Sequence, residues 1–321
     1  MASLPSKRAD RKIRSLISEL NSLHEGEAAV LKLLSHGPAA IEPLKEFLFR
    51  GRPSNVYQPR RWAVEALARL GARDILIEYL KWEKNIPNPV VRAGEEAVKD
   101  AAARELAAFP GEVVLQLFLD LARTRPLPAV LKALGELQAT DAIPYLIDAL
   151  EDDVLRPAAE GALRNMAIEA QTALFEASIE IFPDQAHESP SSLLRRMTAL
   201  NVLADIGIPE GRWGESRPLL EDADSRIVVA ASRIAVRTAE AVGDRARIAR
   251  RLLDMLGSAD WSLQPDIEQL LVCLFEEAKT LLEKEIERRW RMLEGKHGWD
   301  PVILSLLRVK RQAVGAKAHG S

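Results

Sequence analysis

The sequence predicts an all-α fold, a right-handed α-solenoid of about seven helical pairs with capping helices at both ends. Three observations support this prediction. Small or apolar residues recur at offsets 0, 3, 4 and 7, the spacing of one face of a helix. These stripes repeat, because six steps cover the 204 residues from Ala63 to Ile267, a mean period of 34 that is typical of stacked helical pairs. Hydrophobic residues make up 47% of the chain and aromatic residues only 5%, a composition that favours helices over sheets.

The stripes define the second helix of each pair, and five of the seven copies are clear. A further copy, at residues 102–109, carries a carboxylate, and another, at 227–234, contains two alanines and little bulk. We therefore predict that these seven helices line one layer of the stack, each preceded by a first helix. The clear copies are Ala63, Ala66, Leu67, Leu70; Val130, Ala133, Leu134, Leu137; Ala159, Ala162, Leu163, Met166; Ala199, Val202, Leu203, Ile206; and Ile267, Leu270, Leu271, Leu274.

The unit at 141–166 shows the pattern of one pair most fully. Asp141 is placed to cap the first helix, Pro144 falls in its first turn, and three acids at 151–153 mark the turn before the second helix. Similar Pro-Leu starts occur at 41–44 and 217–220, and turn acids also precede Arg226. These features resemble the HEAT-repeat family over roughly residues 36 to 275. The resemblance implies stacked helical pairs, and the family includes scaffolds, carriers and a few enzymes.

The domain organisation follows from where the repeats begin and end. We expect N-terminal capping helices at 1–35, HEAT-like repeats at 36–275, C-terminal capping helices at 276–311 and a disordered tail at 312–321. Three loops inside the repeats are longer than the rest, at 51–58, 84–89 and 183–190. Because equivalent loops recur on one edge of a solenoid, we expect all three to project from one rim and to mark a binding face. Nothing in the sequence indicates a strand.

Charge is distributed unevenly along the chain. Residues 1–60 carry 10 Lys and Arg against 6 Asp and Glu, and residues 301–321 carry 4 against none, whereas residues 61–300 carry 30 against 41. An acidic body argues against a nucleic-acid track along the full length. No apolar run reaches the 18 to 20 residues that span a bilayer. The single cysteine, Cys273, lies in an apolar stretch where we expect it to be buried, and we expect a reducing, cytoplasmic location with no membrane partner.

Residues 50–62 form the densest candidate binding site, with four arginines and two aromatic residues in thirteen positions. Arginine binds carboxylates or phosphates in a bidentate manner, and aromatic side chains can anchor an interface. A row of arginines near the start of second helices, Arg61, Arg92, Arg156 and Arg226, is a further candidate for anion binding. Both groups have a structural alternative, in which the arginines pair with turn acids and Trp62 fills a gap between helices. The candidate binding residues are Arg50, Arg52, Tyr57, Arg60, Arg61, Trp62, Arg92, Arg156, Arg195 and Arg226.

The function we predict is a non-catalytic scaffold that holds a protein or peptide on its second-helix face and on the rim of extended loops. No catalytic residues, metal site or cofactor are predicted. Asp184, His187 and Glu188 are interpreted as ordinary loop residues. The alternative is a nucleic-acid-binding or DNA-repair protein similar to the HEAT-like DNA glycosylases, for which Trp62, Trp261 and Asp260 are the only candidates. Bilin lyases also share the repeat.

Overall fold

The structure is a computed structural model, and it describes residues 7–50, 57–184, 187–294 and 300–319. The described residues form 18 α-helices joined by short 3-10 segments and one two-stranded hairpin. The predicted all-α class is confirmed, and the succession of helices is consistent with an α-solenoid. The chain divides into two compact units, Met1–Asn165 and Met166–Ser321, which we call the N-terminal and C-terminal units. The number of repeats and their handedness stay predictions.

The N-terminal unit is built of ten helices that alternate between two layers. The even-numbered helices α2, α4, α6 and α8 pack in a row, and the odd-numbered helices α1, α3, α5 and α7 each pack on the next even-numbered helix. The helices are α1 (Lys7–Glu19), α2 (Gly26–Leu34), α3 (Ile41–Arg50), α4 (Gln58–Arg69), α5 (Arg73–Lys81), α6 (Pro89–Leu106), α7 (Glu112–Thr124), α8 (Pro128–Glu136), α9 (Ile143–Asp148) and α10 (Arg156–Met166).

The core of the N-terminal unit lies between its two layers and is made of the predicted stripes. Ala63, Ala66 and Leu67 of α4 are fully buried, as are Leu44 and Leu48 on the facing side of α3. A shift of one residue along α4 would turn this apolar face to solvent, so the stripe sets the orientation of the helix. The even-numbered helices also approach closely. A Cβ on Gly135 of α8 would lie 2.5 Å from Cα of Ala162 of α10.

The C-terminal unit repeats the arrangement with eight helices. Here α12, α14, α16 and α18 pack in a row, while α11, α15 and α17 lie against them. Between α12 and α14 the first helix is short and continues as the 3-10 segment Arg217–Glu221. The helices are α11 (Ile168–Ile179), α12 (Pro190–Ile206), α13 (Trp213–Ser216), α14 (Ser225–Arg237), α15 (Arg245–Met255), α16 (Gln264–Cys273), α17 (Phe275–Leu293) and α18 (Pro301–His319).

Three features differ from what the sequence predicts. The loop at 183–190 contains two short strands, β1 (Pro183–Asp184) and β2 (His187–Glu188), which pair antiparallel. A long loop that folds back on itself can form hydrogen bonds between its own backbone groups. Helix α18 continues to His319, across most of the segment predicted to be a disordered tail. Cys273 is exposed, because it is the last residue of α16 and lies off the buried stripe. No helix in the described ranges is long and apolar enough to cross a bilayer.

Candidate functional site

Helices α4 and α6 lie side by side with their first turns adjacent. The hydroxyl of Tyr57, which precedes α4, donates to the carbonyl of Val90 in the first turn of α6 at 2.6 Å. Arg60 in the first turn of α4 donates to Glu95 of α6 at 2.6 Å. Because each contact joins the beginning of one helix to the beginning of the other, the two helices run parallel. Their positively polarised N-terminal ends therefore face the same edge of the N-terminal unit.

Both helices begin where the sequence provides start signals. Asn88 caps α6 by accepting hydrogen bonds from the backbone N–H of Val90 and Val91 at 2.9 and 3.2 Å. Proline occupies the first turn in each case, at Pro59 and Pro89, where its missing N–H costs nothing. Arg61 and Arg92 are each the fourth residue of their helix.

The two aromatic side chains of the predicted site cover glycines on neighbouring helices. The ring of Trp62 lies on Gly26 of α2, where an added Cβ would be 1.8 Å from Cζ3 of the indole. The ring of Tyr57 lies on Gly94 of α6, where an added Cβ would be 1.4 Å from Cε1. Glycine is required at both positions because any side chain would occupy the space of the ring. Tyr57 and Trp62 thus join adjacent repeats, and both are half-buried.

Arg60, predicted as a binding residue, belongs to a buried polar network instead. Its guanidinium pairs with Glu95, and the other carboxylate oxygen of Glu95 accepts from the hydroxyl of Tyr79 at 2.5 Å. All three residues are buried. Burial and the charge of Glu95 raise the pKa of Tyr79, so the phenol stays protonated and donates. Removal of one partner would leave a buried charge, so these contacts favour the structural alternative for Arg60, and its binding role stays a prediction.

Lys99 extends the same network along α6. Its ammonium group donates to the backbone carbonyl of Trp82, beside the cluster of aromatic rings formed by Phe49, Tyr79 and Trp82. Burial, with a further contribution from the charge of Arg125, lowers the pKa of Lys99 to about 8. Nearby, the carbonyl of Leu80 accepts from Arg125 at 2.9 Å. The network holds the long loop after α5 against α6.

Arg61 and Arg92 differ from Arg60 in being exposed. Neither takes part in a hydrogen bond or ion pair within the part of the chain that the structure describes. One turn further along, the equivalent positions hold Glu65 and Glu96, of which Glu65 pairs with Arg69 at 3.2 Å. The surface of α4 and α6 therefore presents a row of two unpaired arginines next to a row of carboxylates. We call Arg61 and Arg92 the arginine pair.

The remaining predicted residues of this segment lie apart from the arginine pair or outside the described ranges. Arg50 ends α3 with an exposed side chain that reaches Glu46 at 3.0 Å. It lines an open cavity of about 570 Å³ together with Arg14 and Ile17 of α1 and Phe47 of α3. Arg52 falls in the undescribed segment 51–56, so its predicted role stays a prediction.

The other two members of the predicted arginine row pair with acids of their own turns. Arg156, the first residue of α10, reaches Asp153 at 2.6 Å. Arg226, in the first turn of α14, binds Asp224 through both Nε and Nη2, at 3.0 and 2.7 Å. The hydrogen bond from Arg226 keeps the pKa of Asp224 below its usual value. These two arginines follow the structural alternative, in which the side chain closes the turn before its helix.

Arg195 is also buried, and it anchors the hairpin of the C-terminal unit. Its guanidinium lies 3.7 Å from the centre of the Phe182 ring and donates to the carbonyl of Glu180 at 2.9 Å. The adjacent Arg196 donates to Glu188 at 2.6 Å and to Asp222 at 2.7 Å. The extended loop at 183–190 is therefore held by two buried arginines of α12. Both side chains are buried, which favours a structural role, and the binding role of Arg195 stays a prediction.

The residues considered for nucleic-acid or metal chemistry have structural contacts. Asp260 caps the 3-10 segment Trp261–Leu263 by accepting from the backbone N–H of Ser262 at 2.8 Å, and this bond lowers the pKa of Asp260. Trp261 is 80% exposed. Glu188 is engaged by Arg196 and Ser192. Within the described residues, no group of three or more His, Cys, Asp or Glu side chains could hold a metal ion.

Sequence reasoning missed the buried network around Glu95. Glu95 was not among the candidate residues, and it is 5% exposed. One signal was present, since Gly94, Glu95, Val98 and Ala102 follow the spacing of the buried face of α6. A carboxylate on such a face requires a buried cation, and Arg60 lies one repeat earlier.

The geometry defines a helical-repeat protein with an exposed pair of arginines and no catalytic constellation among the described residues. Comparison with known families agrees with the first part of this description. The family model described as "PBS lyase HEAT-like repeat" matches residues 129–152, which cover α8, α9 and the connection between them. This match supports a HEAT-like repeat family, and the predicted resemblance is confirmed. No curated protein matches the sequence.

Proposed function

We propose that the protein is a non-catalytic interaction scaffold and that the arginine pair binds an acidic segment of a partner protein. One observation carries the proposal: Arg61 and Arg92 are exposed and unpaired at equivalent positions of two adjacent parallel helices. The HEAT-like repeat supports it further, because such repeats commonly mediate protein interactions. The buried pair of Arg60 and Glu95 joins α4 to α6, and two helices already held together before binding lower its entropy cost.

The spacing of the arginine pair suggests the form of the partner. Packed helices lie about 8 to 10 Å apart, so the two guanidinium groups emerge from helices separated by that distance. A polyproline II segment advances about 9 Å in one turn of three residues. Acidic side chains at positions i and i+3 of such a segment would therefore meet both arginines on one face. The helix N-termini add partial positive charge at the same edge.

A binding measurement with the full chain tests this proposal. The probe is a fluorescein-labelled proline-rich peptide with glutamates at i and i+3, followed by fluorescence anisotropy, and its partner probe carries glutamines instead. We expect the Arg61→Glu/Arg92→Glu variant to bind the acidic peptide at least about tenfold more weakly, since both attractions become repulsions. Arg123→Glu on α7, also exposed, is the matched control and should leave binding unchanged.

The outcomes separate the proposal from the nucleic-acid alternative. Equal binding of the acidic and glutamine peptides, or no loss in the double variant, would contradict the proposal. A labelled DNA duplex tests the nucleic-acid alternative. Tight binding that weakens steeply with salt and is lost in the same variant would show that the arginine pair binds phosphates.

A lyase activity is a second candidate, favoured only by the description of the matched family model. Its test is incubation of the chain with a free bilin and a cysteine-bearing acceptor protein. Covalent attachment of the bilin, visible as pigment that stays with the acceptor on a denaturing gel, would support it. Attachment that is no faster than in the absence of the chain would exclude a lyase activity.

A further inference from the structure

The last helix of the C-terminal unit, α18, has two apolar faces. One face is buried against α16 and α17 and contains Val302, Ile303, Leu306 and Val309. The other face is exposed and carries Leu304, Leu307 and Val314, which are 48%, 41% and 55% accessible. A helix at the edge of a stack needs only one apolar face, so the second face is left without a partner.

The exposed face has the spacing of a coiled-coil seam. Leu304, Leu307, Arg311 and Val314 are separated by three, four and three residues, which is the a and d spacing of a heptad. Leu304, Leu307 and Arg311 also line an open cavity of about 550 Å³ with Gln264 of α16 and Pro301. The part of the seam from Leu304 to Arg311 therefore borders an open groove to which α16 contributes Gln264. Residues at a and d spacing in a groove suit the apolar edge of another helix.

The charge of α18 points to the kind of helix that would fit. Residues 301–321 contain four Lys and Arg and no Asp or Glu. Arg308 pairs with Glu268 at 2.9 Å and Lys310 with Glu283 at 3.1 Å. Arg311, in the middle of the seam, is exposed and has no ion pair among the described residues. An unpaired cation at a seam position fixes the register of a partner that brings an acid to it.

We propose that the groove along Leu304, Leu307, Arg311 and Val314 binds an amphipathic helix of a partner protein that places a carboxylate against Arg311. The occupant has apolar residues at a and d spacing and acidic residues on its flanks. This site lies in the C-terminal unit and does not depend on the arginine pair of the N-terminal unit.

Two other occupants fit the observations less well. A second copy of α18 would bring two such faces into contact, with Arg311 near its own counterpart, and like charges would oppose pairing. An anionic membrane would suit a basic amphipathic helix, but the apolar residues would have to stand clear of the surface. Here Leu304 and Leu307 line a groove with Gln264 of α16, which favours a helix over a bilayer.

The test is a charge exchange between the groove and a synthetic helix. Two fluorescein-labelled peptides of three heptads carry leucine at a and d, except for one central a position that is glutamate in the first peptide and lysine in the second. We expect the full chain to bind the glutamate peptide at least about tenfold more tightly. Arg311→Glu should reverse this preference, and because Arg311 is exposed the variant should fold as the wild type does.

A second variant tests the apolar part of the seam. Leu304→Glu should weaken both peptides at least about tenfold, whereas Leu31→Glu on α2, with a side chain that is 57% exposed, should bind as the wild type does. Circular dichroism of each variant verifies that the helices are retained.

Three results would overturn the proposal. The first is an unchanged peptide preference in Arg311→Glu. The second is a dimer of the full chain by light scattering that Leu304→Glu dissolves, which would assign the groove to a second copy. The third is sedimentation of the chain with phosphatidylserine vesicles, lost in Leu304→Glu, together with no binding of either peptide, which would assign the face to a membrane.

Discussion

The contact between Tyr57 and Gly94 allows a prediction in which one substitution reverses the effect of another on the free energy of unfolding. A Cβ on Gly94 would lie 1.4 Å from Cε1 and 1.6 Å from Cζ of the ring, whereas ordinary contacts begin at 3.4 Å. Gly94→Ala must therefore move the ring of Tyr57 by about 2 Å. That displacement breaks the hydrogen bond from the Tyr57 hydroxyl to Val90.

The magnitudes follow from these contacts. Loss of the hydrogen bond costs about 0.5 to 1.5 kcal/mol, and loss of part of the apolar contact of a half-buried ring costs about 1 to 2 kcal/mol. Alanine in a helix interior recovers about 1 kcal/mol relative to glycine. We expect Gly94→Ala to lower the free energy of unfolding by about 0.5 to 2.5 kcal/mol in the wild type. In a Tyr57→Ala background the same change should raise it by up to about 1 kcal/mol.

The assay is urea unfolding of the four proteins of this double-mutant cycle, followed by circular dichroism. Gly161→Ala on α10 is the control, because a Cβ there would meet nothing within 4 Å and should stabilise the protein by about 0.5 to 1 kcal/mol. A coupling energy below about 0.5 kcal/mol would refute the packing of Tyr57 on Gly94. The packing would also be refuted if Gly94→Ala stabilised the wild type as much as Gly161→Ala does.

Three further predictions concern burial and exposure. Leu163→Ala removes a fully buried side chain of α10 and should lower the free energy of unfolding by about 2 to 5 kcal/mol, whereas an unchanged urea midpoint would contradict the burial. The pKa of Lys99 is lowered from 10.5 to about 8. The free-energy cost of burying its charge is therefore present below pH 8 and is relieved as the pH rises to 10.5. The free energy of unfolding of the wild type, relative to Lys99→Met, should increase across that window by at most about 3 kcal/mol. A flat difference would show that Lys99 is solvated. Cys273 should react with a thiol reagent in the native protein, because it is exposed, and a requirement for denaturant would place it in the core.

Much of the fold could be predicted because it depends on spacing within one helix. The stripe of Ala63, Ala66 and Leu67 specifies which face of α4 is buried wherever the helix packs. The start of α6 was equally readable, since Asn88 and Pro89 are a cap and a first-turn proline. These signals are local, so neighbouring repeats need not be known.

The candidate site was predicted only in part, because side chains of the same type lie in different environments in the fold. Arg60 and Arg61 are adjacent in sequence, yet Arg60 is buried against Glu95 while Arg61 is exposed. Adjacent residues of a helix point about 100° apart, so one faces the next repeat and the other faces solvent. Composition counts both arginines as candidate binding residues, and only the pairing of α4 with α6 distinguishes them.

The sequence alone determined the helices and their buried faces, because both are set by residues within a few turns of one another. The tertiary structure decided which charged and aromatic side chains remain available. Tyr57, Arg60 and Arg195 were taken into contacts with other elements of their units, and Arg61 and Arg92 were left free. The physical reason is that the burial of a side chain depends on its partner in another element, which lies between 15 and 35 residues away in these three cases and beside it in the fold.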